Sequence, residues 1–168
     1  MLLIYTGPGK GKTSACVGQA LRALGQGMRV AFGQFMKRPG QAGEQTMLAQ
    51  MLGENFLASG AGFYRSKEAF PEHRAAAQTL LAWAAERLAA GLDMLVLDET
   101  LYALGHGLIT QEEVQALVDR CVAARTHVVF SGRGAPDWLV EQADIVSEIN
   151  EVRHVFTQGG TACKGIEF

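Results

Sequence analysis

At 168 residues the chain is long enough to close one α/β domain around a full core and too short for two. A formal charge of −2, from 15 basic and 17 acidic side chains with no run of five or six like charges, argues against nucleic acid or an anionic membrane as the partner. Charged residues make up only 19% against the roughly 25% of an average soluble chain, a balance that suits a ligand with a large apolar face.

Leu2, Leu3, Ile4 and Tyr5 read as a buried strand, and residues 13–26 as a helix closed by the exit signal Gly25-Gln26-Gly27. Between them stands Thr6-Gly7-Pro8-Gly9-Lys10-Gly11-Lys12-Thr13-Ser14. Strand, glycine-rich turn and helix in that order predict a phosphate-binding loop. Glycines let successive N–H groups converge on one point, and the helix start adds its positive dipole end. Lys12 brings a mobile charge and Thr13 a hydroxyl for Mg²⁺. Thr6 stands where the strict motif wants glycine, yet Gly-x-Gly-x-Gly-Lys-Thr between a strand and a helix has few other physical uses. Residues 6–14 are therefore the candidate ATP site, with Pro8 removing one backbone donor. Lys10 and Arg22, the latter about two and a half helical turns along, are further candidate phosphate cations.

Residues 29–35 predict a second strand, 37–42 a loop around Arg38-Pro39-Gly40, 43–52 a short helix, and 56–66 a strand then a loop. The clearest helix is 71–90, with Pro71 in its first turn, Ala77, Leu81, Ala84 and Leu88 on one face, and Gly91 after it. Residues 92–98 form a buried strand, and Thr110 with Glu113 predicts a capping box for a helix to about residue 123. A strand at 127–131, a helix at 136–142, a strand at 144–149 and an extended segment at 152–156 complete the chain. This alternation predicts a three-layer α/β fold with a mostly parallel sheet, the P-loop NTPase (RecA-like) architecture. It spans residues 1–168 as one domain and binds ligands at the carboxyl ends of its strands.

The strand at 92–98 ends in Asp98 and Glu99. Placed beside the first strand, this end would bring carboxylates to the Mg²⁺ that Thr13 also touches; spacing does not choose between Asp98 and Glu99. The catalytic candidates are thus Lys12, Thr13 and Glu99, and the Mg²⁺ candidates Thr13, Asp98 and Glu99. A kinase or hydrolase of this fold needs a base or water-positioning residue, and none is identifiable.

Several segments together resemble one family. They are the phosphate loop, Leu21-Arg22-Ala23-Leu24-Gly25, Gln34-Phe35-Met36-Lys37, Leu97-Asp98-Glu99, Ser131-Gly132-Arg133-Gly134-Ala135-Pro136, and residues 152–156 through 164–168. The family is that of the phosphate-loop ATP:corrinoid adenosyltransferases, whose loop also carries threonine at the Thr6 position. The resemblance implies transfer of the 5′-deoxyadenosyl group of ATP to the cobalt(I) of a reduced corrinoid, with release of triphosphate. ATP then lies in the opposite sense to other phosphate-loop enzymes, so the loop serves a leaving group. It also implies Mg²⁺, a homodimer, and a reductase that supplies electrons. Phe63, after Gly60-Ala61-Gly62, becomes the aromatic wall under the corrin ring, with Arg65 a further corrinoid-binding candidate; Arg133, at a strand end where ligands bind, is a candidate for a corrinoid amide or a phosphate. Three features depart from the family: Arg65 replaces a usual tryptophan, Pro8 a common asparagine, and the longer members carry a helical extension ahead of the first strand.

The rival readings are a small phosphate-loop kinase or NTPase, which would make ADP, and a nucleotide-dependent corrinoid carrier without chemistry. His73, His106, His127 and His154 show no metal-pair spacing. Cys16, Cys121 and Cys163 are odd in number without C-x-x-C spacing, so they read as free, buried thiols. Trp83 and Trp138 read as packing residues, and Met28, Met36, Met47, Met51 and Met94 as core or groove filling. No basic leader precedes the first strand and no apolar run reaches the length of a membrane span, so the expected location is the cytoplasm.

Overall fold

The computed structural model describes every residue except 65, 156, 158 and 168. Its strands are β1 (Leu2–Thr6), β2 (Val30–Phe35), β3 (Phe56–Ser59), β4 (Met94–Asp98), β5 (His127–Ser131) and β6 (Ile145–Glu148). They form one sheet in the order β3-β2-β4-β5-β1-β6, with every pairing parallel.

A parallel sheet must be covered on both faces, and alternation along the strands supplies two cores. Met94 and Val96 of β4 face one way with Leu3, Phe32 and Val129. Leu95 and Leu97 face the other with Ile4, Phe35 and Phe130. Helices α1 (Lys12–Gly25) and α2 (Gly43–Leu52) close the first face. Helices α3 (Phe70–Ala89), α4 (Thr100–Gly105), α5 (Gln111–Ala123) and α6 (Asp137–Val140) close the second. The result is the expected three-layer α/β arrangement.

Three expectations need correction, and one helix carries no sequence expectation. β5 lies between β4 and β1, so the acidic strand is not beside the first strand. On α3 the fully buried leucine is Leu80, at 0% exposure, while Leu81 is half-buried. Helix α4, six residues long, has fewer than two turns in which to show a periodic signal, although Leu101 and Ala103 anchor it in the core. Residues 152–155 bend at 152 and 155 and pair with no strand among the described residues.

The capping box of α5 forms as read: Thr110 Oγ1 accepts from the Glu113 amide at 3.2 Å, and Glu113 Oε2 accepts from the Thr110 amide at 2.8 Å. Arg74 of α3 donates to both Glu113 oxygens at 2.7 Å and to the Leu108 carbonyl at 2.7 Å, tying α3 to the start of α5. The Arg74 hydrogen bonds hold the Glu113 carboxyl below the usual glutamate range. Because the folded-state value is depressed, the associated stability is present above the unfolded value and is lost as pH falls through the folded one. Arg74→Ala is expected to lower stability by about 1–2 kcal/mol at pH 7, discounted for partial exposure. Thermal melts should show the gap between variant and parent closing in acid; a gap independent of pH would remove the ionic component.

Candidate active site

The carboxyl ends of the strands surround an open cavity of about 1040 Å³. Its lining includes Lys12 and Thr13 after β1, Met36 and Lys37 after β2, Phe63 after β3, Glu99 after β4 and Arg133 after β5. The volume lies at the upper end of small-molecule sites, enough for more than a nucleotide.

On the loop side, Gly7 and Gly11 adopt φ values of 102° and 120°, and Gly11 opens α1. The chain leaving β6 crosses over the loop. A Cβ on Gly9 would meet the Ile149 carbonyl oxygen at 2.7 Å, and the Gly9 amide donates to that oxygen at 2.8 Å. The close approach of residues 149–151 thus requires glycine here, beyond any phosphate contact. Lys12 folds back over the loop and donates to the Gly7 and Gly9 carbonyls at 2.8 and 2.6 Å. Burial, with Arg133 nearby, lowers its pKa, partly offset by Glu99 and Asp98.

Around Asp98, which is 0% exposed, four side chains converge. Thr13 Oγ1 donates to Oδ2 at 2.9 Å, Ser131 Oγ to Oδ1 at 2.5 Å, and Gln34 Nε2 to Oδ2 at 3.1 Å. Lys37 Nζ stands 3.1 Å from Oδ2, and 2.9 Å from Glu44 Oε1. Burial opposes charge on Lys37, but Asp98 and Glu44 outweigh it and raise its pKa. Burial likewise opposes charge on Glu44, yet hydrogen bonds from Lys37 and Gln34 bring it below the usual range.

Glu99 adopts the left-handed conformation at φ 62°, a strained geometry for a non-glycine residue, and donates its amide to Ser131 Oγ at 3.0 Å. Burial and then the Asp98 charge raise its pKa, against the pull of Lys37, Lys12 and Arg133. A polar chain continues outward from the acidic centre. Gln45 donates to Gln34 Oε1 at 2.9 Å and to the Arg38 carbonyl at 3.2 Å, and Arg38 Nε donates to the Ala61 carbonyl at 2.6 Å. A Cβ on Gly60 would lie 2.1 Å from the Met36 carbonyl carbon, so glycine lets the loop before Phe63 sit against the β2 exit.

The structure therefore brings Gly9, Lys10, Gly11, Lys12, Thr13, Ser14, Phe63, Glu99 and Arg133 to one cavity, with Asp98 buried against Thr13. Phe63 is 73% exposed there. Thr6 ends β1, its hydroxyl accepting from the Ala135 amide at 3.4 Å; neither it, Gly7 nor Pro8 lines the cavity. Arg22 does not line the cavity: ten residues along α1 from Lys12, it lies about 15 Å up the helix and is exposed. Arg65 lies outside the described residues. Cys16 and Cys121 are buried as read, whereas Cys163 is exposed, as are Met47 and Met51. His73 and His106 pack edge-on against Tyr64. His154 lines the cavity and pairs with Glu167 at 3.4 Å.

Lys37, Glu44, Gln34 and Ser131 are the site residues that sequence reasoning missed. Gln34, Lys37 and Ser131 lie in segments carrying the family resemblance, but without assigned roles; Glu44 had no local signal at all. Among the described residues no three or more His, Cys, Asp or Glu side chains gather as a metal site. The oxygens of Thr13, Asp98 and Glu99 nevertheless suit Mg²⁺, a hard ion that keeps several waters and binds through one or two carboxylates plus substrate phosphates. The ammonium of Lys37, seated against the Thr13 and Asp98 oxygens, shows that the spot favours a cation.

The fold is similar to that of flagellar accessory protein FlaH from Methanocaldococcus jannaschii. The TM-score is 0.55, with 11% identity, across 88% of this chain and 69% of that one. Among curated relatives, the corrinoid adenosyltransferase of Pseudomonas aeruginosa is 38% identical over 172 residues, covering 100% of this chain and 83% of its own. The corrinoid adenosyltransferase of Escherichia coli K12 is 36% identical over 170 residues, covering 100% and 85%. A profile of the family described as ATP:corrinoid adenosyltransferase BtuR/CobO/CobP matches residues 1–168. A phosphate loop and an exposed aromatic facing one cavity, with relatives matched along the whole chain, lead to one conclusion: the chain belongs to the ATP:corrinoid adenosyltransferase family.

Proposed function

We propose that this enzyme transfers the 5′-deoxyadenosyl group of ATP to the cobalt(I) centre of a corrinoid, cobalamin among its substrates, and releases triphosphate. The observation that carries this reading is the placement of Lys12 and the exposed Phe63 ring on one cavity. Cobalt(I) is the nucleophile, so the protein needs no catalytic serine or cysteine of its own. The bond from cobalt to the ribose 5′ carbon forms as the bond from that carbon to the triphosphate oxygen breaks, and the electron pair leaves with the triphosphate.

The chain's work is alignment and charge. The loop amides with Lys10 and Lys12 hold the leaving triphosphate and meet the charge that develops on it. To reach phosphate, Lys12 must exchange its two loop carbonyls for phosphate oxygens, a trade of neutral acceptors for charged ones. Thr13 and Asp98, with Glu99 beyond them, would hold Mg²⁺, which supplies further neutralisation of the polyphosphate when bound. Glu99 also faces the cavity, where its carboxylate suits a ribose hydroxyl. Phe63 offers an apolar wall to the corrin face, excluding a lower axial ligand and easing reduction of the cobalt; Arg133 suits a corrinoid amide or a phosphate.

A homodimer, an electron-donating reductase and a cytoplasmic location complete the reading. This part of the reading rests on family membership. No helix among the described residues is long and apolar enough to cross a membrane. The kinase and carrier alternatives lack a supporting observation.

The test is anaerobic incubation with ATP, Mg²⁺ and chemically reduced cobalamin, following the visible spectrum and identifying the phosphate product. A light-sensitive alkylcobalamin with stoichiometric triphosphate supports the proposal, and ADP with an unaltered corrinoid spectrum overturns it. Phe63→Ala should lower corrinoid turnover by about ten- to a hundredfold, the scale of one lost aromatic contact, while leaving ATP affinity unchanged. Equal losses in both would contradict the assigned wall.

A further inference from the structure

The ammonium of Lys37 occupies an unusual position for a lysine of a nucleotide site. It donates to Thr13 Oγ1 at 3.0 Å and lies 3.1 Å from Asp98 Oδ2, the two oxygens best placed to receive a divalent ion. Thr13 in turn gives its hydroxyl proton to Asp98, so both oxygens are committed to this arrangement. A third partner, Glu44 Oε1, stands on the first turn of α2 at 2.9 Å from the same nitrogen. Gln34 Nε2 bridges Glu44 Oε1 and Asp98 Oδ2 at 3.1 Å each, holding the two carboxylates on either side of the ammonium. Met36, at φ 63°, turns the chain sharply just before Lys37 and is the second non-glycine residue of the cavity held in the left-handed region.

An ammonium and a divalent ion cannot share oxygens at this distance without strong repulsion. The seat therefore has two exclusive occupants, and Glu44 gives Lys37 a partner to keep when it yields. We propose that Lys37 is the resident counter-cation of the Thr13–Asp98 seat, a positioning residue that fills it until a metal-bearing nucleotide arrives, and that Glu44 then takes over the ammonium. This rests on the metal-nucleotide reading of the cavity and adds an order to it. The nucleotide-free protein rejects divalent ions, and the ion enters only with its phosphates. Displaced toward Glu44 at the cavity wall, Lys37 adds a cation beside the triphosphate.

The proposal is tested with Mn²⁺, a paramagnetic substitute for Mg²⁺ at oxygen sites, titrated into nucleotide-free protein and read by electron paramagnetic resonance. Lys37→Met, which removes the charge but keeps much of the stem, should bind Mn²⁺ about tenfold or more tightly than the parent, because Asp98 is left without its cation. Its melting temperature should rise with added Mn²⁺ while that of the parent does not. Equal Mn²⁺ affinities in the two folded proteins overturn the proposal. Should Lys37→Met fail to fold, Glu44→Gln decides the matter. With no carboxylate to receive Lys37, the Mn²⁺ concentration needed for half-maximal binding of a fluorescent ATP analogue should rise about tenfold. An unaltered Mn²⁺ requirement overturns it. Failure of adenosyl transfer in the parent would instead count against the reaction assigned above and leave the Mn²⁺ comparison standing.

Discussion

Lys12→Ala is expected to reduce adenosyl transfer by about 10²–10³-fold, the scale of removing one preorganised donor from a developing anion. Lys12 is only 8% exposed and sits at the focus of the loop. Lys10 is exposed, and Arg22 is about 15 Å away along α1. In the nucleotide-free protein the same lysine caps the Gly7 and Gly9 carbonyls. Its removal hands two acceptors to water, at about 1 kcal/mol of stability. Titration of a fluorescent ATP analogue alongside a thermal melt separates the two effects: a large loss of affinity with a small change in melting temperature is the expected pattern. Turnover equal to that of the parent would sink the phosphate-loop assignment.

Asp98→Ala should be the most destabilising change at the site. It removes the acceptor of Thr13, Ser131 and Gln34 together with the buried partner of Lys37. Breaking a buried ion pair costs about 3–5 kcal/mol. Lys37 retains Glu44 and is 21% exposed, so the expected loss is smaller, about 2–4 kcal/mol. That corresponds to a fall in melting temperature of roughly 4–16 °C for a domain of this size. Asp98→Asn keeps an acceptor for Thr13 or Ser131 and should melt closer to the parent, yet still lose metal-dependent nucleotide binding. If Asp98→Asn melts lower than Asp98→Ala, one retained acceptor does not offset the loss of charge opposite Lys37.

Elements specified by near neighbours in sequence stand where the sequence predicts them. The helix at residues 43–52, the strand at 127–131 and the capping box of Thr110 and Glu113 all stand as their neighbours in sequence dictate. Each is specified within a few residues, by periodicity or by a side chain that bonds its own turn. The phosphate loop is legible for the same reason: its strand, glycines, lysine and helix start are contiguous. Helix α4 escaped because its signal is tertiary, two apolar side chains in a core assembled from distant segments.

The acidic centre shows where local reading ends. Asp98 is legible in the sequence as a strand-end carboxylate, but its partners come from four other segments. Thr13 lies on α1, Gln34 on β2, Lys37 in the turn after it, and Ser131 at the end of β5. Which strand ends meet depends on the crossovers of a parallel sheet. Those crossovers put β5, not the acidic strand β4, next to β1, and so made Ser131 a neighbour of Asp98. Contiguous residues thus determined the element types, the phosphate loop and the family. Strand order and register decided which charge faces which, because the partners of a buried carboxylate lie up to 85 positions away along the chain.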